Sequence, residues 1–255
     1  MTFSGMRTSK INKMKKLIFS LCIFALVSNS FSQSEVVSDS SNFSIDVDFG
    51  AASRNIWRGL DYGASPSIWG DFYGSFKNFS LGAMGTTTTN GSKLQYGTWL
   101  ELYAGYEFKN FSLIVDDYFF FNAVDSANNY FDYSPNNTQH LVEARLEYEH
   151  DFLEAIVGYV VYSNRADNSN GVYIEATYKA SDKISFTAGY LTASQWLSFY
   201  EAGGITTLGV NGHRKLNVLK RELPLKASLI FNPNYKSASP LVGNNPAYFV
   251  LSTKF

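Results

Sequence analysis

The chain has 255 residues, 45% apolar, 16% aromatic and 17% charged, with one cysteine and a formal net charge of −1. So few charges beside 17 Tyr and 21 Phe exclude a disordered or linker protein and are unusual for a soluble enzyme. No run of eighteen apolar residues follows the N-terminal region, which excludes a membrane protein built of helices.

The first element is a targeting segment. Arg7, Lys10, Lys13, Lys15 and Lys16 precede the apolar stretch Leu17 to Val27, and Ser30-Phe31-Ser32 puts small residues at both recognition positions. This pattern predicts a signal peptide over residues 1–32, cleaved before Gln33, with Met14 as an alternative start. An uncleaved anchor fits less well, because an apolar core of 11 residues is too short for a bilayer of roughly 30 Å. Leu21 before Cys22 speaks against lipidation, since that signal wants a small residue there. Cleavage removes the only cysteine, so the exported chain relies on no disulfide. It also removes five of the 21 Lys and Arg and none of the 22 acids, which leaves 16 against 22 and a net −6. No nucleic-acid partner is expected of such a chain, since phosphate contacts need a basic surplus.

After a short N-terminal segment at 33–42, which export would leave in the periplasm, the sequence alternates with period 2 almost to its end. Phe43, Ile45, Val47, Phe49 and Ala51 oppose Asp46, Asp48 and Gly50. Further on, Leu100, Leu102, Ala104, Tyr106 and Phe108 oppose Trp99, Glu101, Tyr103, Gly105 and Glu107. Val142, Ala144, Leu146 and Tyr148 oppose Glu143, Arg145, Glu147 and Glu149, and Ile174, Ala176 and Tyr178 oppose Tyr173, Glu175, Thr177 and Lys179. Such alternation marks strands with one apolar and one polar face. Ordinary strands run about 5–6 residues and membrane-crossing ones roughly 9–11, and most of these alternate for ten or more. The expected fold is all-β: a transmembrane antiparallel up-and-down β-barrel over 43–255. We read twelve strands, at roughly 43–58, 66–76, 79–89, 94–108, 111–123, 138–150, 152–163, 171–180, 183–193, 204–215, 223–232 and 246–255. The pattern is weakest between Ala193 and Pro224, where a ten-strand reading also fits.

The connections alternate as well. Tight turns at Lys77-Asn78, Lys109-Asn110, His150-Asp151 and Ser181-Asp182 separate longer polar loops at 59–65, 87–92, 125–137, 164–170 and 194–204. Short periplasmic turns and long outer loops are the rule for outer-membrane barrels. Phe76-Lys77-Asn78-Phe79-Ser80 recurs as Phe108-Lys109-Asn110-Phe111-Ser112, a repeated corner. The six prolines fall at strand starts, strand ends or in loops, where no ladder donor is lost. The last strand alternates up to Phe255, and a terminal aromatic in that setting resembles the signal read by the barrel assembly machinery.

Ser53-Arg54-Asn55-Ile56-Trp57-Arg58-Gly59, then Ser65-Pro66-Ser67-Ile68 and the glycine-rich strands after them, resembles the TorF-type porin family over about 40 residues. The family pattern has an aromatic where Asn55 stands. The resemblance implies a pore-type barrel without an assigned substrate.

Strand parity gives the lumen. It turns inward Asp46, Asp48, Asp71, Glu101, Glu107, Glu143, Glu147, Glu149, Glu154 and Glu175, against Arg54, Arg58, Arg145, Lys179 and Lys254. A pore rimmed by surplus carboxylates favours cations; alternatively the charges pair across the lumen and plug it. Arg54 and Arg58, near the outer end of the first strand, are the expected constriction or solute contact, with salt bridges to neighbouring acids as the alternative. Trp69, Trp99 and Tyr103 are the inward rings that could stack on a solute. Trp57, Phe72, Phe76, Phe79, Tyr106, Phe108, Phe111 and Tyr148 are expected to face outward in interfacial girdles.

No catalytic constellation is legible. None of His140, His150 and His213 has a serine two positions away, and three scattered histidines make a tight metal site improbable. Asp125 and Asp132 could hold calcium, although lone loop acids are usually just solvated. Neither metal nor cofactor is expected. The expectation is an outer-membrane porin-like channel of a Gram-negative cell that passes small solutes, preferably cations. Its partners would be membrane lipid, lipopolysaccharide and the assembly machinery. The alternative is a non-conducting structural or adhesion barrel acting through its outer loops.

Overall fold

The protein, in a computed structural model, is described over residues 42–90, 97–121, 129–134, 138–163, 171–192, 199–218, 221–238, 243 and 245–255. The expected signal peptide, residues 33–41, positions 94–96 of the fourth expected strand, Asp125, Pro135, Pro240 and the loop 164–170 lie outside the described residues.

The strands are β1 (Phe43–Ala52), β2 (Ile56–Trp57), β3 (Leu60–Asp61), β4 (Ser67–Phe76), β5 (Phe79–Thr88), β6 (Trp99–Phe108) and β7 (Phe111–Phe120). They continue as β8 (His140–His150), β9 (Leu153–Ser163), β10 (Val172–Ser181), β11 (Ile184–Leu191), β12 (Gly204–Val218), β13 (Arg221–Phe231) and β14 (Ala247–Lys254). All except β2 and β3 close into one antiparallel barrel of twelve strands in which sequence neighbours pair and β14 returns to β1. Twelve is thus the count, and the weak stretch resolves into a long β12 paired with β13. Its glycines and the basic run around His213 dilute the alternation there, while the β12–β13 ladder continues to Val218↔Arg221, past Gly212, the last β12 residue paired with β11.

Parity holds around the barrel and inverts the usual arrangement. Leu81 on the outer face is 69% exposed, whereas Glu143 on the inner face is fully buried. Phe72, Phe76, Phe79, Tyr106, Phe108 and Phe111 stand exposed on the outside, with Tyr106 on Phe79 at 4.8 Å and Tyr148 on Phe111 at 5.0 Å. The repeated corner is a repeated device: Lys77 and Lys109 both take φ 55°, and Asn78 and Asn110 each donate Nδ2 to the next hairpin, to Glu107 O and Glu149 O at 2.8 Å. The seam is short. Gly50–Ala52 pairs with Ser252–Lys254, and the Phe255 N–H donates to Phe49 O at 2.7 Å.

The first strand departs from expectation. It leaves the wall at Ala52 rather than running to 58, and residues 53–65 turn into the barrel. At the same long-loop end but on the outer face, Tyr133 stacks on the buried His140 at 3.9 Å and donates to Asp117 Oδ2 at 2.6 Å. Asp132, a sequence candidate for calcium, accepts the Ser134 N–H at 2.9 Å and so caps a turn.

The apolar outer face defines the first test. Leu102→Arg, at mid-height on the outside of β6, is expected to lower the unfolding free energy in lipid vesicles by about 2–4 kcal/mol, measured by denaturant titration.

Candidate functional site

The site is built by the segment between β1 and β4. The chain's exit from the wall is fixed twice, by Ser53 N–H donating to Leu251 O at 2.7 Å and Leu251 N–H donating to Ser53 Oγ at 2.9 Å. β2 and β3 then form a miniature hairpin with Arg58-Gly59 as its two-residue turn, at φ 51° and 82°. Positive φ at both central residues is the twist-matched turn of tight hairpins, and it favours glycine. Gly59 has a second reason: a Cβ there would lie 2.0 Å from Thr206 O on the wall. Asp61 holds the returning arm. Its Oδ2 receives Arg54 Nη1 at 2.7 Å, its Oδ1 receives the N–H groups of Gly63 and Ala64, and its backbone bridges to Gly243.

The hairpin tip crosses the lumen. Arg58 Nη2 donates to Glu143 Oε2 at 2.7 Å and Oε1 at 2.9 Å, on β8, five strands around the wall from β1. Its guanidinium lies between the Trp57 and Tyr173 rings, 4.3 Å from each centroid. Burial alone would lower the Arg58 pKa, but the Glu143 carboxylate holds it above the ordinary arginine value. Gly158 makes room for the pair, because a Cβ there would meet Glu143 Oε1 at 2.4 Å. The turn carbonyls are also satisfied: Tyr200 OH donates to Arg58 O at 3.5 Å and Asn232 Nδ2 to Gly59 O at 3.0 Å. Around the tip, Tyr62 packs on Trp57, Trp99 and Phe199, and Trp57 on Tyr118, at 5.5–6.2 Å between centroids. Leu60, Asp61 and Tyr62 are fully buried, so the long-loop half of the lumen has a packed aromatic core.

The expected lumen residues separate into groups. Glu101, Glu143, Arg145, Glu147 and Glu175 face inward from the strands as parity required. Arg145 reaches Asp116 at 3.1 Å and Glu147 at 3.2 Å, and Tyr173 donates to Glu175. Arg54 and Arg58 also face inward, but from the inserted hairpin rather than from a first strand. Trp57 is corrected outright: it sits inside against Arg58 and Tyr62 and not in an outer girdle, because the chain has already left the wall. The loop expected outside at 59–65 is likewise folded in at Leu60, Asp61 and Tyr62. Trp99 faces the lumen but packs between Tyr62 and Phe120, and Tyr103 donates to Asp71 at 3.0 Å. Trp69 remains beside open space, lining a hollow of about 430 Å³ with Arg54, Asp71 and Lys254. Phe255 lies at the seam.

Sequence reasoning missed Asp116, Tyr118 and Asn232, although Asp116 and Tyr118 share the inward parity of Ser112. It also missed the basic mouth at the short-turn end, where Lys183, Arg214, Lys215 and Lys226 join the expected Lys254 around a hollow of about 890 Å³. Beneath the hairpin a cavity of about 510 Å³ runs from Ile56, Arg58 and Gly59 down to Asp151 and Asp182 in the short turns. At its mouth Ser185 Oγ lies 3.2 Å from His213 Nε2, a contact between neighbouring strands. His213 Nδ1 has no partner among the described residues to orient it as a catalytic base.

Compared with known proteins, the chain matches no family model and no curated sequence.

A buried charge must keep its partner. Glu143→Gln is expected to destabilise the folded barrel by about 3–5 kcal/mol, whereas Arg58→Met combined with Glu143→Leu recovers most of that loss, both read by denaturant unfolding of the refolded protein.

Proposed function

We propose that the protein is an outer-membrane porin-like barrel for small solutes, with the segment 53–65 acting as its gate. The single observation that carries this reading is the hairpin pinned across the lumen by Arg58 and Glu143, above a cavity lined by polar side chains. An exposed apolar belt and alternating short and long connections fit a barrel in an outer membrane, with the short turns in the periplasm. The residues at 53–59 and 65–68 that resemble the TorF-type porins are those that build the gate and its return to the wall. A terminal strand closing the seam at Phe255 suits recognition by an assembly machinery, and the outer aromatics suit lipid and lipopolysaccharide.

We further propose a preference for cations. Arg54, Arg58, Arg145, Lys179 and Lys254 are each tied to an acid. Asp46, Asp71, Glu101, Glu107 and Glu175 form no salt bridge among the described residues. The lysines of the mouth lie at its rim, where water and salt screen them. A second reading, a non-conducting barrel that acts through its outer loops, is favoured by the complete burial of Leu60, Asp61 and Tyr62.

Planar-bilayer conductance of the refolded protein separates the two. The gated pore predicts rare or small steps for the native chain, and larger, more frequent, cation-selective steps for Arg58→Ala. Silence in both proteins, with normal folding, would leave the structural barrel. Anion-selective steps would keep the pore and discard the preference.

A further inference from the structure

We propose that the cavity beneath the hairpin is a binding site for a neutral polyhydroxylated solute of mono- to disaccharide size. The inference rests on the reading of the lumen as a solute compartment and names what that compartment accepts. The volume of about 510 Å³ falls in the range of small-ligand sites.

The roof carries unused hydrogen-bonding capacity. Arg58 is 8% exposed, its Nη2 is spent on Glu143, and its Nη1 has no partner although the residue lines the cavity. Thr207, 6% exposed and also in the lining, sets its hydroxyl against that of Tyr173, which donates to Glu175. Buried donors and acceptors in native folds are nearly always satisfied, so the orphaned guanidinium nitrogen of a cavity-lining residue points to a ligand that completes it.

The wall specifies the chemistry. Thr177 and Thr187 share one hydrogen bond at 2.8 Å, which leaves a hydroxyl proton and lone pairs free between them. Asn211 donates to Ser185 and Thr187 and accepts from Ser228 at 2.7 Å. Donors and acceptors thus alternate along a cage of hydroxyls and one amide, which matches hydroxyls that both give and take a proton. The full charges of the lining are unfriendly to anions: Arg58 is paired with Glu143 and Lys179 with Glu154, while Glu175, bonded to the Tyr173 hydroxyl, and Asp151 and Asp182 form no ion pair among the described residues and Lys226 is the one unpaired lysine of the lining. An anion would meet Glu175, Asp151 and Asp182, and a multivalent cation drawn to the roof would meet the Arg58 guanidinium. A neutral polyol meets neither penalty.

Isothermal titration of the full, refolded barrel with glucose and sucrose, in a detergent without a sugar headgroup, tests the site. Saturable millimolar binding of at least one sugar is expected, weakened tenfold or more by Thr207→Val and by Asn211→Leu. Spermidine and inorganic phosphate should give no saturable heat. No saturation with either sugar in protein that migrates as a folded barrel would overturn the proposal. So would sugar binding indifferent to both substitutions, or saturable binding of spermidine or phosphate instead. The readout needs no ion flux: a barrel that binds sucrose yet never conducts keeps the site and loses the channel, and the converse result does the reverse.

Discussion

An arginine held inside a barrel dictates much of what surrounds it. Desolvating a guanidinium costs several kcal/mol unless a partner and good geometry offset it. Arg58 is supplied with a carboxylate on the far wall, two aromatic faces and a glycine-made hollow. Each supplier comes from a different strand: Glu143 from β8, Gly158 from β9 and Tyr173 from β10. The pair therefore does more than attach a loop. It ties the β1–β4 connection to the opposite wall and gives the long-loop half of the lumen a dry centre on which Tyr62, Trp99 and Tyr118 pack.

The two halves of the lumen consequently differ in kind. Above the hairpin tip, rings and full burial exclude water. Below it, hydroxyls, an amide and charged side chains line a cavity open to the short-turn end. Arg58 belongs to both halves: Nη2 makes the pair, the residue lines the cavity, and Nη1 has no hydrogen-bond partner. Any event that draws on Nη1 from below acts on the same guanidinium that holds the segment in place. Local geometry makes the segment a defined object rather than a loose loop, since its turn, its Asp61 cap and its exit at Ser53 are all hydrogen-bonded.

Most of the barrel was legible in the sequence because a strand's period is an intrinsic property. Alternation separated Leu102 from Glu101 and Leu146 from Glu147 without any tertiary knowledge, and the tight Lys-Asn corners fixed the strand ends. What escaped was the fate of residues 53–65. A two-residue strand such as Ile56–Trp57 alternates just as the wall does, so Arg54 and Arg58 received the right side for the wrong reason and Trp57 the wrong side. The forces that turn the segment inward come from partners distant in sequence: Glu143 stands 85 positions from Arg58, and Asn232 stands 173 from Gly59. Local hints existed, since Leu60 and Tyr62 are apolar in a stretch otherwise read as an outer polar loop. Asp116 was missed more simply: its strand's inner face is mixed, with Ile114 beside it, and did not read as a charged ladder.

The closing of the lumen by residues 53–65 is tested most directly by thiol accessibility. The only cysteine of the chain is Cys22, within the expected signal peptide, so a single introduced thiol reports alone. Leu60→Cys in the folded barrel should react with a membrane-impermeant maleimide far more slowly than Ser65→Cys, at the half-buried end of the segment, and become equally reactive on unfolding. Equal, rapid labelling of both positions in the folded protein would mean that the segment lies outside the lumen, contradicting the gate.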